Sequence, residues 1–205
     1  MTEVLLPVIE WLNGHSVILA STSPRRQDLL KALGIRFTVQ VQSIDETHAG
    51  LPSDPPLLAQ QLAADKVNAI RPDFPGSYII GADTVVAWHG KSVGKPGSAD
   101  EAIRMLRKLS DHQHQVYTGL AIAVPGQETL HVAVEQTDVR FRHLGDDEIN
   151  AYLQTGSPLD KAGAYGIQDP MAATFIMGIR GDYYNVVGFP LRRFYELISN
   201  IRSGQ

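Results

Sequence analysis

Val17-Ile-Leu-Ala-Ser-Thr-Ser-Pro-Arg-Arg26 decides how the chain begins to fold. Val17–Ala20 is a short apolar run of strand type. Ser21-Thr-Ser23 is a polar loop. Pro24 suits the first turn of a helix, where its missing N–H is not needed. Leu29, Leu30 and Leu33 give that helix an apolar face, and Gly34 closes it as the residue just past the end. The chain therefore opens as strand, polar loop, helix.

Working outward, Phe37–Gln42 alternates apolar and polar and reads as a second strand. Residues 50–56 are rich in Pro and Gly and read as a loop. A helix runs from about Leu57 to Ile70, ended by Pro72 and Pro75. Tyr78-Ile-Ile-Gly-Ala-Asp83 is a buried strand ending in a carboxylate. Val85–Trp88 continues it into a hairpin at His89-Gly90. Residues 98–109 form a helix with Ile103, Leu106 and Leu109 on one face. Val116–Val124 and Leu130–Phe141 are long antiparallel strands joined at Pro125-Gly126. Asp146–Leu153 is a short helix. Thr174–Ile179 and Tyr183–Val187 read as a last hairpin through Arg180-Gly181, and Arg192–Ile201 as the closing helix. Alternating elements followed by long antiparallel strands predict an α/β fold with a mixed sheet flanked by helices.

Composition removes several classes of function. The 205 residues suit one large domain or two intimate lobes. Cysteine is absent, which excludes thiol nucleophiles, CxxC redox motifs and thiolate zinc sites, and nothing argues for secretion. A net charge of −4 argues against a general nucleic-acid binder, although converging cations could still hold a small anion. No apolar run reaches the roughly 18 residues of a membrane helix. Met1–His15 lacks a cationic start and is interrupted by Pro7 and two acids, so it reads as an amphipathic cap rather than a signal peptide. Residues 1–15 are thus an extension, and residues 16–205 one domain.

Five segments could carry chemistry. Ser21-Thr-Ser-Pro-Arg-Arg26 places hydroxyls before a helix start and two guanidinium groups in its first turn. Helix N-termini attract phosphate and Arg pairs with its oxygens, while a plain N-cap with solvated Arg is the alternative. Asp83 stands at a strand end, where open α/β sheets bind ligands. It could hold a metal, take a proton from water, or simply cap a turn. In Gly94-Lys-Pro96 the proline holds Lys95 extended, so its ammonium is aimed in a defined direction or merely solvated. Asp160-Lys-Ala-Gly-Ala-Tyr-Gly-Ile-Gln168 has a backbone that a flat ligand can approach, and the Gln168 amide suits base recognition. Asp45 and Glu46, with Lys66 further on, could ligate Mg²⁺ or Mn²⁺ or form a polar turn. His112 and His114 read as surface loop residues, since their spacing does not put both on one helix face.

Together these segments resemble the Maf family of nucleotide pyrophosphatases, once called septum formation proteins. The likeness runs from about Val17 to Ile198. It rests on residues 20–26, Gly81-Ala-Asp-Thr84, Gly94-Lys-Pro96, residues 160–168 and Gly181-Asp-Tyr-Tyr-Asn-Val-Val-Gly188. Within the family the chain is similar to the dTTP/UTP branch rather than the 7-methyl-GTP branch. The resemblance implies a two-lobed sheet around a cleft, shared with the inosine triphosphate pyrophosphatases. It also implies a divalent cation, a homodimer and a cytoplasmic location. It makes Asp83 the catalytic base and Arg25, Thr84 and Gln168 the specificity residues. In the mechanism that follows, Ser21, Arg26, Lys66 and Lys95 hold the phosphates, and Glu46 and Asp83 hold the metal. Three alternatives stand beside it: a non-catalytic regulator of septum formation, a 7-methyl-GTP pyrophosphatase, and a house-cleaning pyrophosphatase whose substrates extend to CTP and modified pyrimidine nucleotides. The N-terminal extension is a departure from the family pattern.

Overall fold

The computed structural model describes residues 4–46 and 50–204; Met1–Glu3 of the N-terminal segment and Thr47 of the acidic loop lie outside them. Its elements are α1 (Pro7–Leu12), β1 (Val17–Leu19), α2 (Pro24–Ala32), β2 (Thr38–Val39), α3 (Pro55–Ile70), β3 (Tyr78–Trp88), β4 (Lys91–Val93) and α4 (Ala99–Leu109). There follow β5 (Gln113–Ala123), β6 (His131–Phe141), α5 (Asp146–Leu153), α6 (Pro170–Ala173), β7 (Ile176–Arg180), α7 (Tyr183–Val187) and α8 (Leu191–Ser203). Short 3₁₀ turns at Ser157–Asp160 and Ala162–Ala164 connect α5 to α6.

Among the described residues the strands form one mixed seven-stranded sheet in the order β2-β1-β3-β5-β6-β7, with β4 also on β3. β1 runs parallel to β2 and β3, and all other pairs are antiparallel. β5 follows β3 along one edge from Ile79 to Ala87. The opposite edge of β3 is shared: β1 covers Tyr78–Ile80 and β4 covers Val86–Trp88. Residues 81–85 therefore have no partner strand on that side among the described residues. This break in the sheet positions the site.

Helix α3 packs on one face of the sheet over two close-approach glycines. A Cβ on Gly81 would come within 2.6 Å of the Ala63 carbonyl oxygen, and one on Gly119 would overlap the Ala59 carbonyl. On the other face α8 buries Phe194, Ile198 and Ile201 with Leu19, Ile80 and Leu120. The N-terminal segment joins the same core, as Val8, Ile9 and Leu12 of α1 are buried there. A second apolar cluster, built on Leu106, Phe141, Tyr152 and Phe175, lies toward the α4 and α5 end.

Four sequence expectations fail for identifiable reasons. Asp83 does not end a strand: β3 runs on to Trp88 because its far half pairs with β4 and β5, so the carboxylate sits mid-strand beside the break. Phe37–Gln42 pairs only at Thr38–Val39, because β1 ends at Leu19 and offers no further ladder. Tyr183–Val187 is a helix, not the return strand of a hairpin. Asp182 accepts a 2.7 Å hydrogen bond from the Tyr184 N–H, and Gly188 at φ +115° ends the turn, so capping overrides the β-propensity of this stretch. His114 is not a surface residue. It is fully buried in β5, which starts at Gln113 rather than Val116, and its ring packs against Phe141 and Tyr165.

Candidate active site

Asp83 and Thr84 are adjacent on β3, so their side chains leave opposite faces of the sheet. Beside an intact ladder they would enter different environments. At the break both reach one cleft of about 630 Å³, within the usual range for small-molecule sites. Its lining includes Ser21, Arg25, Arg26, Glu46, Lys66, Asp83, Thr84, Lys95 and Gln168, but not Asp45, the other acid offered as a metal ligand. It also includes Lys161, Asp160 and Asp169. Five cations thus meet four carboxylates there, in a chain of net charge −4. Over a Debye length of about 8 Å such a cluster outweighs the distant surplus of acid.

On the α3 side, Lys66 Nζ joins two carboxylates. It bonds Asp83 Oδ1 and lies 2.9 Å from Glu46 Oε1. Lys95 Nζ reaches Glu46 Oε2 at 3.3 Å. Burial alone would raise the Glu46 carboxyl, but hydrogen bonds and charge from Lys66 and then Lys95 outweigh it and hold the group below its ordinary value. Asp83 is 8% exposed, so its charge is screened by Lys66 rather than by water. Among the described residues no group of three or more His, Cys, Asp or Glu gathers as a ready metal cage. Glu46 and Asp83, both bonded to Lys66, are paired oxygen donors on this side of the cleft.

On the opposite side, Arg26 is fixed at three points. Its Nε donates to the Gly188 carbonyl at 2.9 Å, and its two Nη atoms donate to Ser21 Oγ and Thr84 Oγ1, each at 3.2 Å. Burial lowers the Arg26 guanidinium below its ordinary value, opposed by the Asp83 charge. Helix α2 begins at this wall, and no side chain caps it. The N–H groups of its first turn therefore face the same space as Ser21, Thr22 and Ser23. Arg25 stands nearer the rim, 3.9 Å from Asp160, and Gln168 is exposed there.

Sequence reasoning missed two groups. Lys161 is 9% exposed and pinned by the Ser157 carbonyl (2.6 Å), Ser157 Oγ (2.8 Å) and Asp160 (2.7 Å). Asp169 accepts from Tyr152 and Ser157 in the same loop. The 160–168 motif marked the place but not these roles. Behind Thr84 stand Thr118 and Asn185, both fully buried. The one signal for them was a lone Asn inside Tyr183-Tyr-Asn-Val-Val187.

Fold and site define an α/β protein with an anion-suited cleft at a break in a mixed sheet. Residues 16–201 match the family model described as Maf-like protein, and the chain belongs to that family. The dTTP/UTP pyrophosphatase of Symbiobacterium thermophilum is 49% identical over 185 residues, covering 90% of this chain and 93% of its own length. That of Salinibacter ruber is 46% identical, covering 89% of each. That of Koribacter versatilis is 44% identical, covering 90% of this chain and 94% of its own length. The solved structure of a nucleoside-triphosphatase / dITP/XTP pyrophosphatase from Mycobacterium abscessus overlaps 63% of this chain and 75% of its own, at a TM-score of 0.38 and 14% identity. No helix among the described residues is long and apolar enough to cross a membrane.

Proposed function

We propose that this chain hydrolyses dTTP and UTP to the monophosphate and pyrophosphate. One observation carries the reading: a near-buried carboxylate and five cations, drawn from segments between Arg25 and Lys161, line a single cleft beside an uncapped helix start. The names of the relatives support the substrate class.

In this reading Ser21, Arg26, Lys95 and the first turn of α2 hold the triphosphate, and Lys66 exchanges its carboxylate contacts for phosphate oxygens. Asp83 accepts the proton of a water that attacks the α-phosphorus in line. A new phosphorus–oxygen bond forms, the α–β bridge breaks, and pyrophosphate leaves with the bridging electrons. Release of Lys66 to the phosphates frees the Asp83 carboxylate to take that proton. Positioning and charge neutralisation supply most of the acceleration, as in phosphoryl transfer generally. Arg25, Thr84 and Gln168 read the base.

Glu46 and Asp83 fit a divalent cation of the Mg²⁺ or Mn²⁺ type, which takes one or two carboxylates and completes its shell with phosphate and water. The Lys66 ammonium bonded to both carboxylates supports that assignment, since the pair already draws a cation. Such an ion, when bound, would neutralise phosphate charge. A homodimer in the cytoplasm, with residues 1–15 as an extension of a single catalytic domain, completes the reading.

Pyrophosphate release from dTTP, UTP, CTP, GTP, ITP and 7-methyl-GTP, with and without Mg²⁺ or Mn²⁺, tests it. dTTP and UTP should be turned over fastest, and only with the metal. Faster release from 7-methyl-GTP would move the chain to the other branch, and no release from any triphosphate would leave a binding protein.

A further inference from the structure

Thr84 Oγ1 lies 3.2 Å from Arg26 Nη2 and 3.0 Å from Thr118 Oγ1, and Thr118 Oγ1 lies 2.9 Å from the main-chain carbonyl of Asn185. A guanidinium only donates and a carbonyl only accepts, so both ends of this chain of contacts are fixed. Thr118 is fully buried and has one proton. If that proton pointed anywhere but the Asn185 carbonyl, two acceptors would face each other in a dry interior, an arrangement proteins avoid. Thr118 therefore donates to Asn185 and accepts from Thr84. Thr84, having spent its only proton, accepts from Arg26 and keeps one lone pair.

The Asn185 carbonyl cannot turn away to relax this. The Asn185 side-chain amide donates to the Val116 carbonyl at 2.9 Å and to Thr137 Oγ1 at 3.0 Å. Thr137 in turn donates to the Asp182 carbonyl at 2.9 Å. Nor can Arg26 swing, because Gly188 holds its Nε. The Thr118 proton, and through it the Thr84 proton, is therefore directed by the Asn185 carbonyl behind the cleft wall.

We infer that Thr118 is a positioning residue that makes Thr84 a pure acceptor toward the cleft. Thr84 can then pair with a ligand N–H but cannot donate to a phosphate oxygen or to a ring nitrogen lone pair. Among pyrimidines this selects the imide N3–H of uracil and thymine over cytosine, whose N3 is itself an acceptor. The inference rests on the proposed reading in one respect, that Thr84 faces the base.

Calorimetric binding of α,β-imido-UTP against α,β-imido-CTP tests it without requiring turnover, so failure of the catalytic reading shows up separately as absent pyrophosphate release. Wild type should prefer the uridine ligand by about tenfold, and should bind its N3-methyl derivative as weakly as the cytidine one. Thr118→Val removes the acceptor, frees the Thr84 proton and should collapse the uridine preference to within about twofold. Thr118→Ser keeps the hydroxyl and should restore it. A uridine preference unchanged in a folded Thr118→Val, or both ligands weakened in parallel, overturns the inference. Should that variant not fold, equal wild-type affinity for the N3-methyl and unmethylated uridine ligands overturns it instead.

Discussion

On the α3 side of the cleft, Asp83, Lys66, Glu46 and Lys95 are joined by ion pairs. On the α7 side, Arg26, Thr84, Thr118 and Asn185 are joined by hydrogen bonds whose donors are fixed. The first set tolerates rearrangement, because Coulomb attraction falls off slowly and Lys95 is 57% exposed. The second cannot shift by one bond without leaving a buried group unpaired. A polyanion entering between them can therefore exchange partners with the first wall while the second keeps its shape. Under the proposed function the charged wall serves the reacting phosphates, while the hydroxyl wall fixes Arg26 toward the triphosphate and Thr84 toward the base.

The sharpest way to break the charged wall is Asp83→Asn. It keeps size, removes the proposed proton acceptor and leaves the α7 side untouched. Steady-state turnover should fall by about 10³-fold, the range for loss of a general base, while calorimetric affinity for a non-hydrolysable triphosphate is retained. A variant keeping a tenth of wild-type turnover would remove Asp83 from the role of base.

Gly119→Ala attacks the same wall from beneath. The new methyl overlaps the Ala59 carbonyl, so α3 must lift from the sheet and carry Lys66 away from Asp83. A loss of about 3 kcal/mol in urea unfolding is expected, typical of overpacking against backbone. An unchanged midpoint would show that α3 does not need that close approach.

Behind the cleft, His114 contrasts with both walls, since burial alone sets its state. Its Nε2 meets the Tyr165 hydroxyl at 2.8 Å, and desolvation pushes the ring down from 6.5 to about 4. The folded protein thus resists protonating it. This contribution to stability is fully present above the unfolded value near 6.5 and is lost as pH falls toward 4, by about 3 kcal/mol for a fully buried ring. The difference between wild type and His114→Gln in denaturant midpoints across pH 4–7 isolates it. Parallel profiles would show that the ring titrates normally.

The smallest effect belongs to Lys95. Lys95→Ala removes an exposed charge whose partner Glu46 keeps Lys66, so the fold should be unaffected and KM should rise by about tenfold. Unchanged kinetics would place its ammonium in solvent throughout the reaction.

How much was legible follows the same division. The charged wall could be read from sequence because Asp83 interrupts an otherwise apolar run and Lys95 is held extended before Pro96, and neither charge has an ordinary structural use there. The hydroxyl wall could not. Thr118 lies mid-strand and looks like any β-former, and Asn185 sits in an apolar run that reads as a strand until Asp182 and Gly188 cap it into a helix. His114 was misjudged for a related reason. A polar residue between two Gln at a strand start gives no hint that an aromatic pair waits to cover it.

By itself the sequence determined the alternation of elements, the first strand–loop–helix unit and the residue types available for anion chemistry, because these depend on local periodicity, capping and charge. Only the tertiary structure decided that β1 stops and β4 begins on either side of Asp83 and Thr84. That gap turns two opposite faces of a strand into one cleft, and it depends on how far separate segments pair along an edge, which no single segment encodes.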